Sequence, residues 1–202
     1  MVAVMIMLPS AFSRGAEGRN TPDPGQQLKP FLDRMAAHLK SDAFQRERGS
    51  GQYQGTADVA SEGIDFREMS RRVLGKQWKT LTAQQREQFV DLFSKLLQYT
   101  YIKKISQDVD KKKVEIKRQR IQGRRAEVKT LVRDRNGIKP VAYRMILKDD
   151  RWMIYDIIVE GISLVQNYGE QMRAILRDKQ IAGLLAMLTE KIHKLEAGRG
   201  NG

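Results

Sequence analysis

The sequence predicts an α+β protein: a curved antiparallel sheet of about four strands, with helices packed on one face and enclosing an apolar pocket. Apolar residues recur at the 3.6-residue spacing of helices up to about residue 101 and again after residue 162. Between residues 114 and 159 the period changes to two, which is typical of strands. Helices, then strands, then helices along one chain indicate an α+β fold rather than alternating strands and helices.

The first predicted helix runs from residue 26 to about residue 46. Pro30 fits this helix only if it lies in the first turn, because proline lacks the N–H that later turns require. A loop rich in Gly, Ser and Gln follows at residues 49–55. The apolar face of the helix is formed by Leu28, Leu32, Met35 and Leu39.

Capping signals predict the start of two more helices. Asp65 is a candidate N-cap, and Glu68 is spaced to reach back to the Asp65 backbone N–H, while Gly75 is a suitable stop. Thr82 and Gln85 repeat the capping pattern before a longer helix. The apolar faces of the two helices are Phe66, Met69, Val73 and Leu74, and Phe89, Leu92, Phe93, Leu96, Leu97, Thr100 and Tyr101.

Four strands are predicted to form an antiparallel meander, and two helices follow it. Asn136-Gly137 is a strong hairpin signal, and Asp149-Asp150 marks the next turn. The last strand is apolar on both faces, which predicts a central position in the sheet. The predicted strands are 114–121, 125–133, 141–148 and 152–159, and the closing helices start at Ile162 and near Ile181.

Length and charge bound the possible classes of protein. The 202 residues predict one domain at 26–196, preceded by an unstructured lead-in at 1–25 and followed by a flexible tail at 197–202. No internal apolar run reaches the eighteen residues that a transmembrane helix needs. Residues 111–135 hold eleven Lys or Arg against three acidic residues, a net charge of +8 in a chain of net charge +13. Such a patch attracts nucleic acid, lipid headgroups or an acidic partner protein.

Residues 1–8 form an apolar octet followed by small residues at Ala11 and Ser13, which predicts the end of a signal peptide. No Lys or Arg precedes the octet, so a short hydrophobic tail is the alternative. Cysteine is absent, which excludes disulfides and thiolate metal sites but does not indicate a compartment.

The sequence offers little catalytic chemistry. His38 and His193 are predicted to be solvated, and neither has a partner at metal-ligand spacing. Gly161-Ile162-Ser163 resembles a nucleophile elbow, but Val165 replaces its second glycine. Asp156, alone within a strand, is interpreted as a residue that ties down a loop. We therefore expect no catalytic residue, no metal site and no cofactor, and predict that the protein is not an enzyme.

Two patterns have alternative interpretations. The aromatic and Met-rich interior is typical of an ordinary core, but a concave sheet under helices can also hold a dry ligand cavity. The basic segment favours a solvated strand face; nucleic acid binding is less favoured because residues 111–135 contain no aromatic side chain for base stacking.

Residues 65–188, about 60% of the chain, resemble the MlaC (toluene-tolerance auxiliary component) family. The most specific block is Val159-Glu160-Gly161-Ile162-Ser163-Leu164-Val165 with Asn167-Tyr168. Near Gly169 the family commonly has Arg, so one headgroup-side or structural contact is in doubt. The matching positions that precede this block are Asp65-Phe66, Met69, Val73-Leu74-Gly75, Trp78, Leu81-Thr82, Gln85-Arg86, Phe89, Pro140-Val141, Tyr143-Arg144, Trp152 and Tyr155-Asp156.

The resemblance implies a monomeric phospholipid-binding carrier in the periplasm of a Gram-negative bacterium. Family members shuttle phospholipid between an outer-membrane lipoprotein–porin complex and an inner-membrane ABC transporter with an MCE-domain subunit, which maintains outer-membrane asymmetry. The alternatives are a carrier of another lipid, such as a hopanoid, and a basic scaffold or nucleic-acid-binding module with a filled core.

Two sets of candidate residues follow from this hypothesis. The acyl chains of a bound phospholipid, carried as cargo, are expected to contact Phe66, Met69, Phe93, Leu97, Tyr143, Met145, Leu147 and Ile154. Docking onto acidic partner subunits or a membrane surface is expected to use Arg118, Arg120, Arg125 and Lys129.

Overall fold

The computed structural model describes residues 21–107, 109–135 and 137–197. The predicted signal segment and the predicted flexible tail after residue 197 lie outside the described residues. Within these ranges seven α-helices and five strands follow the predicted α+β order. The helices are α1 (Pro24–Lys40), α2 (Asp42–Ser50), α3 (Gln54–Ser61), α4 (Phe66–Leu74), α5 (Ala83–Ser106), α6 (Leu164–Asp178) and α7 (Ile181–Ala197). The strands are β1 (Lys113–Gln122), β2 (Arg125–Asp134), β3 (Gly137–Lys148), β4 (Arg151–Val159) and β5 (Ile162–Ser163).

The N-terminal region contains more helix breaks than its apolar periodicity predicts. The predicted helix at 26–46 is interrupted at Ser41. The backbone of Ser41 is extended, and its side chain accepts a hydrogen bond from the Phe44 N–H, so Ser41 is the N-cap of α2. Helix α3 starts inside the predicted loop, after Gly51 has turned the chain through a left-handed conformation. Pro30 lies in the second turn of α1, not the first, because the helix already begins at Pro24 with Asp23 as its cap.

Both capping signals mark the true start of a helix. Thr82 and Gln85 form the complete reciprocal capping box of α5. The Asp65 side chain accepts a 2.8 Å hydrogen bond from the Glu68 N–H, as an N-cap should. The return bond from Glu68 is absent here, because the Asp65 N–H donates instead to the Ile154 carbonyl, at 2.8 Å.

The five strands form one open antiparallel sheet in the order β1-β2-β3-β4-β5. Asp149 and Asp150 both have positive φ, the geometry of a tight hairpin turn, as the sequence predicted. Asn136 lies outside the described residues. The short fifth strand was not predicted: Ile162 and Ser163 pair with Val159 and Ile158, and α6 begins only at Leu164.

Two groups of buried apolar side chains form the interior. The sheet cluster contains Leu28, Phe31, Ala126, Val128, Val141, Tyr143, Met145, Trp152 and Ile154. The helical cluster is built mainly from α4, α5, α6 and α7, with Leu39, Phe44 and Tyr53 from α1 and the region after it. Helix α1 contributes to both clusters, and the half-buried Met35 and Ile64 pack against both.

Residues 63–65 connect the helices to the sheet through backbone hydrogen bonds. The Ile154 N–H donates to the Gly63 carbonyl at 2.8 Å, and the Asp65 N–H donates to the Ile154 carbonyl at the same distance. Gly63 is buried against Phe31: a Cβ atom at this position would lie 2.5 Å from the Phe31 ring. The position therefore requires a residue without a side chain.

Replacing Gly63 with alanine should destabilise the fold by about 1–3 kcal/mol, because the buried Phe31 ring has to shift. Chemical denaturation measures the change. Gly49→Ala is the matched control, since a Cβ there meets nothing within 4 Å, and alanine in a helix is favoured over glycine. Equal stability of the two variants would show that the close approach of Phe31 has no energetic consequence.

Candidate functional site

The eight residues expected to contact acyl chains are divided between the two clusters. Phe66 and Met69 lie on α4, Phe93 and Leu97 on α5, Tyr143, Met145 and Leu147 on β3, and Ile154 on β4. Six are buried; Phe66 packs half-buried against the helical cluster and Leu147 against the sheet cluster. The structure thus places them in two half-sets, which meet where Met35 and Ile64 contact both clusters.

The surroundings of these residues are apolar and closely packed. Phe93 stacks on Phe89 with ring centroids 5.6 Å apart and meets the Tyr168 ring edge-on at 5.3 Å. In the sheet cluster, burial raises the pKa of the Tyr143 hydroxyl to about 12, against a smaller opposing effect of its hydrogen bond with Thr130. The cause of this shift is desolvation, which disfavours charged groups in the sheet cluster.

The four basic residues proposed for docking share the outer face of the sheet. In β2 the buried Ala126 and Val128 alternate with outward-facing residues, so Arg125 and Lys129 point away from α1. Arg118 lies directly opposite Lys129 in the β1–β2 register. The four exposed cations, with Arg120 opposite Glu127, therefore form one patch.

Asp156 has the structural role that its isolated position in a strand predicted. Its carboxylate, 2% exposed, accepts hydrogen bonds from the Ser163 hydroxyl at 2.7 Å and from the Val165 N–H at 3.1 Å. Arg144 on β3 pairs with it at 3.2 Å. Asp156 thus holds the start of α6 against the sheet.

A basic cleft of about 630 Å³ was not anticipated from the sequence. Its cations are Arg71 and Arg72 at the end of α4, Lys76 and Lys79 in the 3-10 helix that follows, and Arg144. Residues 72, 76 and 79 have the i, i+4, i+7 spacing of one helical face, a signal that the sequence does contain. Arg144 joins them only through the packing of α4 and α6 on β4.

Glu68 supports the two arginines of this cleft. Its buried carboxylate accepts two 2.7 Å hydrogen bonds from Arg71 and one of 2.9 Å from Arg72. The hydrogen bond from Arg71 and the charges of both arginines hold the pKa of Glu68 below its usual value, although burial opposes them. The carboxylate remains ionised and fixes both guanidinium groups.

The histidines are not arranged for metal binding. His38 is not solvated as predicted: its side chain is 13% exposed, and its Nε2 lies 3.0 Å from the Thr56 hydroxyl and 3.2 Å from Glu47. It joins α1, α2 and α3. His193 is exposed and borders a groove between α5 and α7. In the described parts of the chain, no three His, Asp or Glu side chains are placed to hold a metal ion.

Fold and site define an α+β protein with an open antiparallel sheet, an apolar interior divided between sheet and helices, and a basic outer face. Each helix within residues 21–107, 109–135 and 137–197 is too short or too polar to span a bilayer. The chain belongs to the MlaC family, since the family model, described as MlaC protein, matches residues 29–190. This confirms the resemblance noted from the sequence.

Two proteins with similarity to this chain are informative. The intermembrane phospholipid transport system binding protein MlaC of Haemophilus influenzae is 23% identical over 125 residues, 59% of this chain. The match spans 58% of that relative's length. The phospholipid-binding protein of Ralstonia solanacearum, whose structure was solved in complex with a phospholipid, has the same fold, with a TM-score of 0.77 and 24% identity. That similarity covers 86% of this chain and 99% of the Ralstonia chain.

Replacing Glu68 with glutamine should lower the free energy of unfolding by about 1.5–3 kcal/mol near pH 7, because the variant loses the charge-assisted hydrogen bonds from Arg71. The folded pKa of Glu68 is lowered, so its stabilisation is present above the unfolded pKa and disappears as pH falls through the folded pKa. The difference between the two proteins should therefore shrink as pH is lowered from 7 toward 3.

Denaturation curves at several pH values measure this difference. Glu87→Gln is the control, because Glu87 is 64% exposed and pairs only at the surface with Arg67. If the difference in the free energy of unfolding between wild type and Glu68→Gln stays constant with pH, the assignment of the lowered pKa to this carboxylate is contradicted.

Proposed function

We propose that this protein is a phospholipid carrier of intermembrane transport, not an enzyme, and that it acts in the periplasm of a Gram-negative bacterium. Membership of the MlaC family supports the class of activity. The observation that carries the proposal is the interior: two facing half-sets of apolar side chains meet along α1 and Ile64. Their surroundings provide packing but little polar chemistry.

The physical chemistry of acyl chains suits such an interior. Each buried methylene contributes about 0.8 kcal/mol, so affinity rises with the length of hydrocarbon covered and depends little on polar recognition. Met69 and Met145, one in each cluster, are flexible and can adapt to chains of different shape. We expect the acyl chains to lie between the half-sets and the headgroup to be selected weakly.

We further propose that the carrier exchanges lipid with two membrane complexes. One is an inner-membrane ABC transporter with an MCE-domain subunit, and the other is an outer-membrane lipoprotein–porin complex. The exposed patch of Arg118, Arg120, Arg125 and Lys129 supports docking onto acidic surfaces, because like charges on adjacent strands raise the local positive potential.

Native mass spectrometry of the protein purified from a Gram-negative bacterium should show a stoichiometric phospholipid adduct. Substituting Met145 and Leu147 with glutamine should reduce the occupied fraction several-fold, because both side chains belong to the sheet half-set. Circular dichroism establishes that the variant is folded.

Ile138→Gln is the matched control on the same strand, since Ile138 is 48% exposed, and it should keep the lipid. A folded double variant with unchanged occupancy would remove Met145 and Leu147 from the lipid site. A wild-type protein free of lipid would overturn the proposed function itself, and an adduct of hopanoid mass would change the cargo.

Transfer of fluorescent phospholipid to purified inner-membrane complex should slow as salt is raised, because screening weakens charge-guided docking. Neutralising Arg118, Arg120, Arg125 and Lys129 with glutamine should slow transfer at low salt and flatten its salt dependence. The control neutralises four exposed cations elsewhere: Arg46, Arg48, Lys103 and Lys191. Equal effects of the two variants would assign the salt dependence to net charge rather than to this patch.

A further inference from the structure

The basic cleft lies on the outer face of the sheet, apart from the apolar interior. Arg144 alternates along β3 with the buried Tyr143 and Met145, so its side chain points away from the sheet cluster. Tyr155 and Asp156 on β4 form part of the floor. The cleft is therefore separate from the eight candidate lipid-contacting residues, and the proposed carrier function does not require it.

The arginines of the cleft are held in position by the protein itself. The Arg72 guanidinium lies 3.8 Å from the centre of the Tyr155 ring, and its Nε donates to Glu68. Arg71 is bound to the same carboxylate through two of its nitrogens. These contacts use only some of the N–H donors of each guanidinium group. Because the group is already held in position, it loses little entropy when it binds an anion.

The two lysines of the cleft are differently placed. Lys76 and Lys79 are exposed, and among the described residues neither forms an ion pair. Five cations face three carboxylates that pair with them, Glu68, Asp156 and Glu127, which leaves a net charge of +2. The local charge therefore favours a compact anion.

We propose that this cleft binds a phosphate group, either free phosphate or the phosphate of a lipid headgroup presented from outside the protein. The cleft is open to solvent, so an anion can enter it from outside the protein. Arginine forks match the oxygen geometry of phosphate, and lysine adds a mobile charge. An extended acidic segment of a partner fits the cleft less well, because Arg144 already pairs there with Asp156 at 3.2 Å and with Glu127 at 3.5 Å.

Isothermal titration calorimetry of the full chain tests the proposal with two probes. Inorganic phosphate represents the free anion, and glycerophosphoglycerol represents a headgroup without acyl chains, so the apolar interior cannot contribute to binding. Wild type should bind at least one probe. The double variant Lys76→Gln with Lys79→Gln should bind that probe about tenfold more weakly, because the two substitutions remove positive charges that have no partner carboxylate in the cleft.

Lys103→Gln with Lys104→Gln is the control, since both lysines are exposed on α5, and it should bind as wild type does. Tighter binding of glycerophosphoglycerol assigns the cleft to a headgroup, and tighter binding of inorganic phosphate assigns it to the free anion. The proposal is overturned if wild type binds neither probe or if both lysine pairs have the same effect. It is also overturned if a hexaglutamate peptide binds more tightly than either phosphate probe. Thermal unfolding verifies that the variants are folded.

Discussion

The two backbone hydrogen bonds between residues 63–65 and Ile154 position the helices on the sheet. One peptide segment pairs with a strand in the sheet cluster and, one residue later, begins α4 of the helical cluster. Because Asp65 uses its N–H in this bridge and its side chain as the helix cap, the start of α4 is fixed relative to β4. An ion pair from Lys148 to the same side chain strengthens the connection. The direction of α4, and of the arginines at its end, follows from these contacts.

The sheet then separates two chemical environments. Alternation along β2 and β3 directs Val128, Tyr143 and Met145 toward α1 and directs Lys129 and Arg144 outward. The interior is consequently apolar while the outer face is basic, although both come from the same strands. Asp156 is the exception: its carboxylate is buried on the outer side, where Arg144, the Ser163 hydroxyl and the Val165 N–H all contact it.

Much of the local structure could be predicted from particular residues. Thr82 and Gln85 mark the start of α5, and Asp149-Asp150 marks a hairpin turn, because capping and turn formation depend on side chains within a few residues. The break at Ser41 and helix α3 could not be found this way, since the apolar periodicity of α1 continues through the break. The predicted hydrogen bond from the Asp65 N–H to the Glu68 side chain is wrong for a related reason. The Glu68 carboxylate binds Arg71 instead, and the Asp65 N–H donates to the Ile154 carbonyl in the sheet.

For the candidate sites, the sequence by itself determined the character of the residues: alternating apolar and basic strands, a Met- and aromatic-rich interior, and the signature of the MlaC family. It also supplied the eight candidate lipid-contacting residues as a hypothesis. Only the tertiary structure decided that these residues divide between two clusters, and that Arg144 joins Arg71, Arg72, Lys76 and Lys79 in one cleft. The physical reason is distance along the chain. Periodicity and capping act over a few residues, whereas the packing of α4 on β4 depends on contacts between segments about 90 residues apart, as between Asp65 and Ile154.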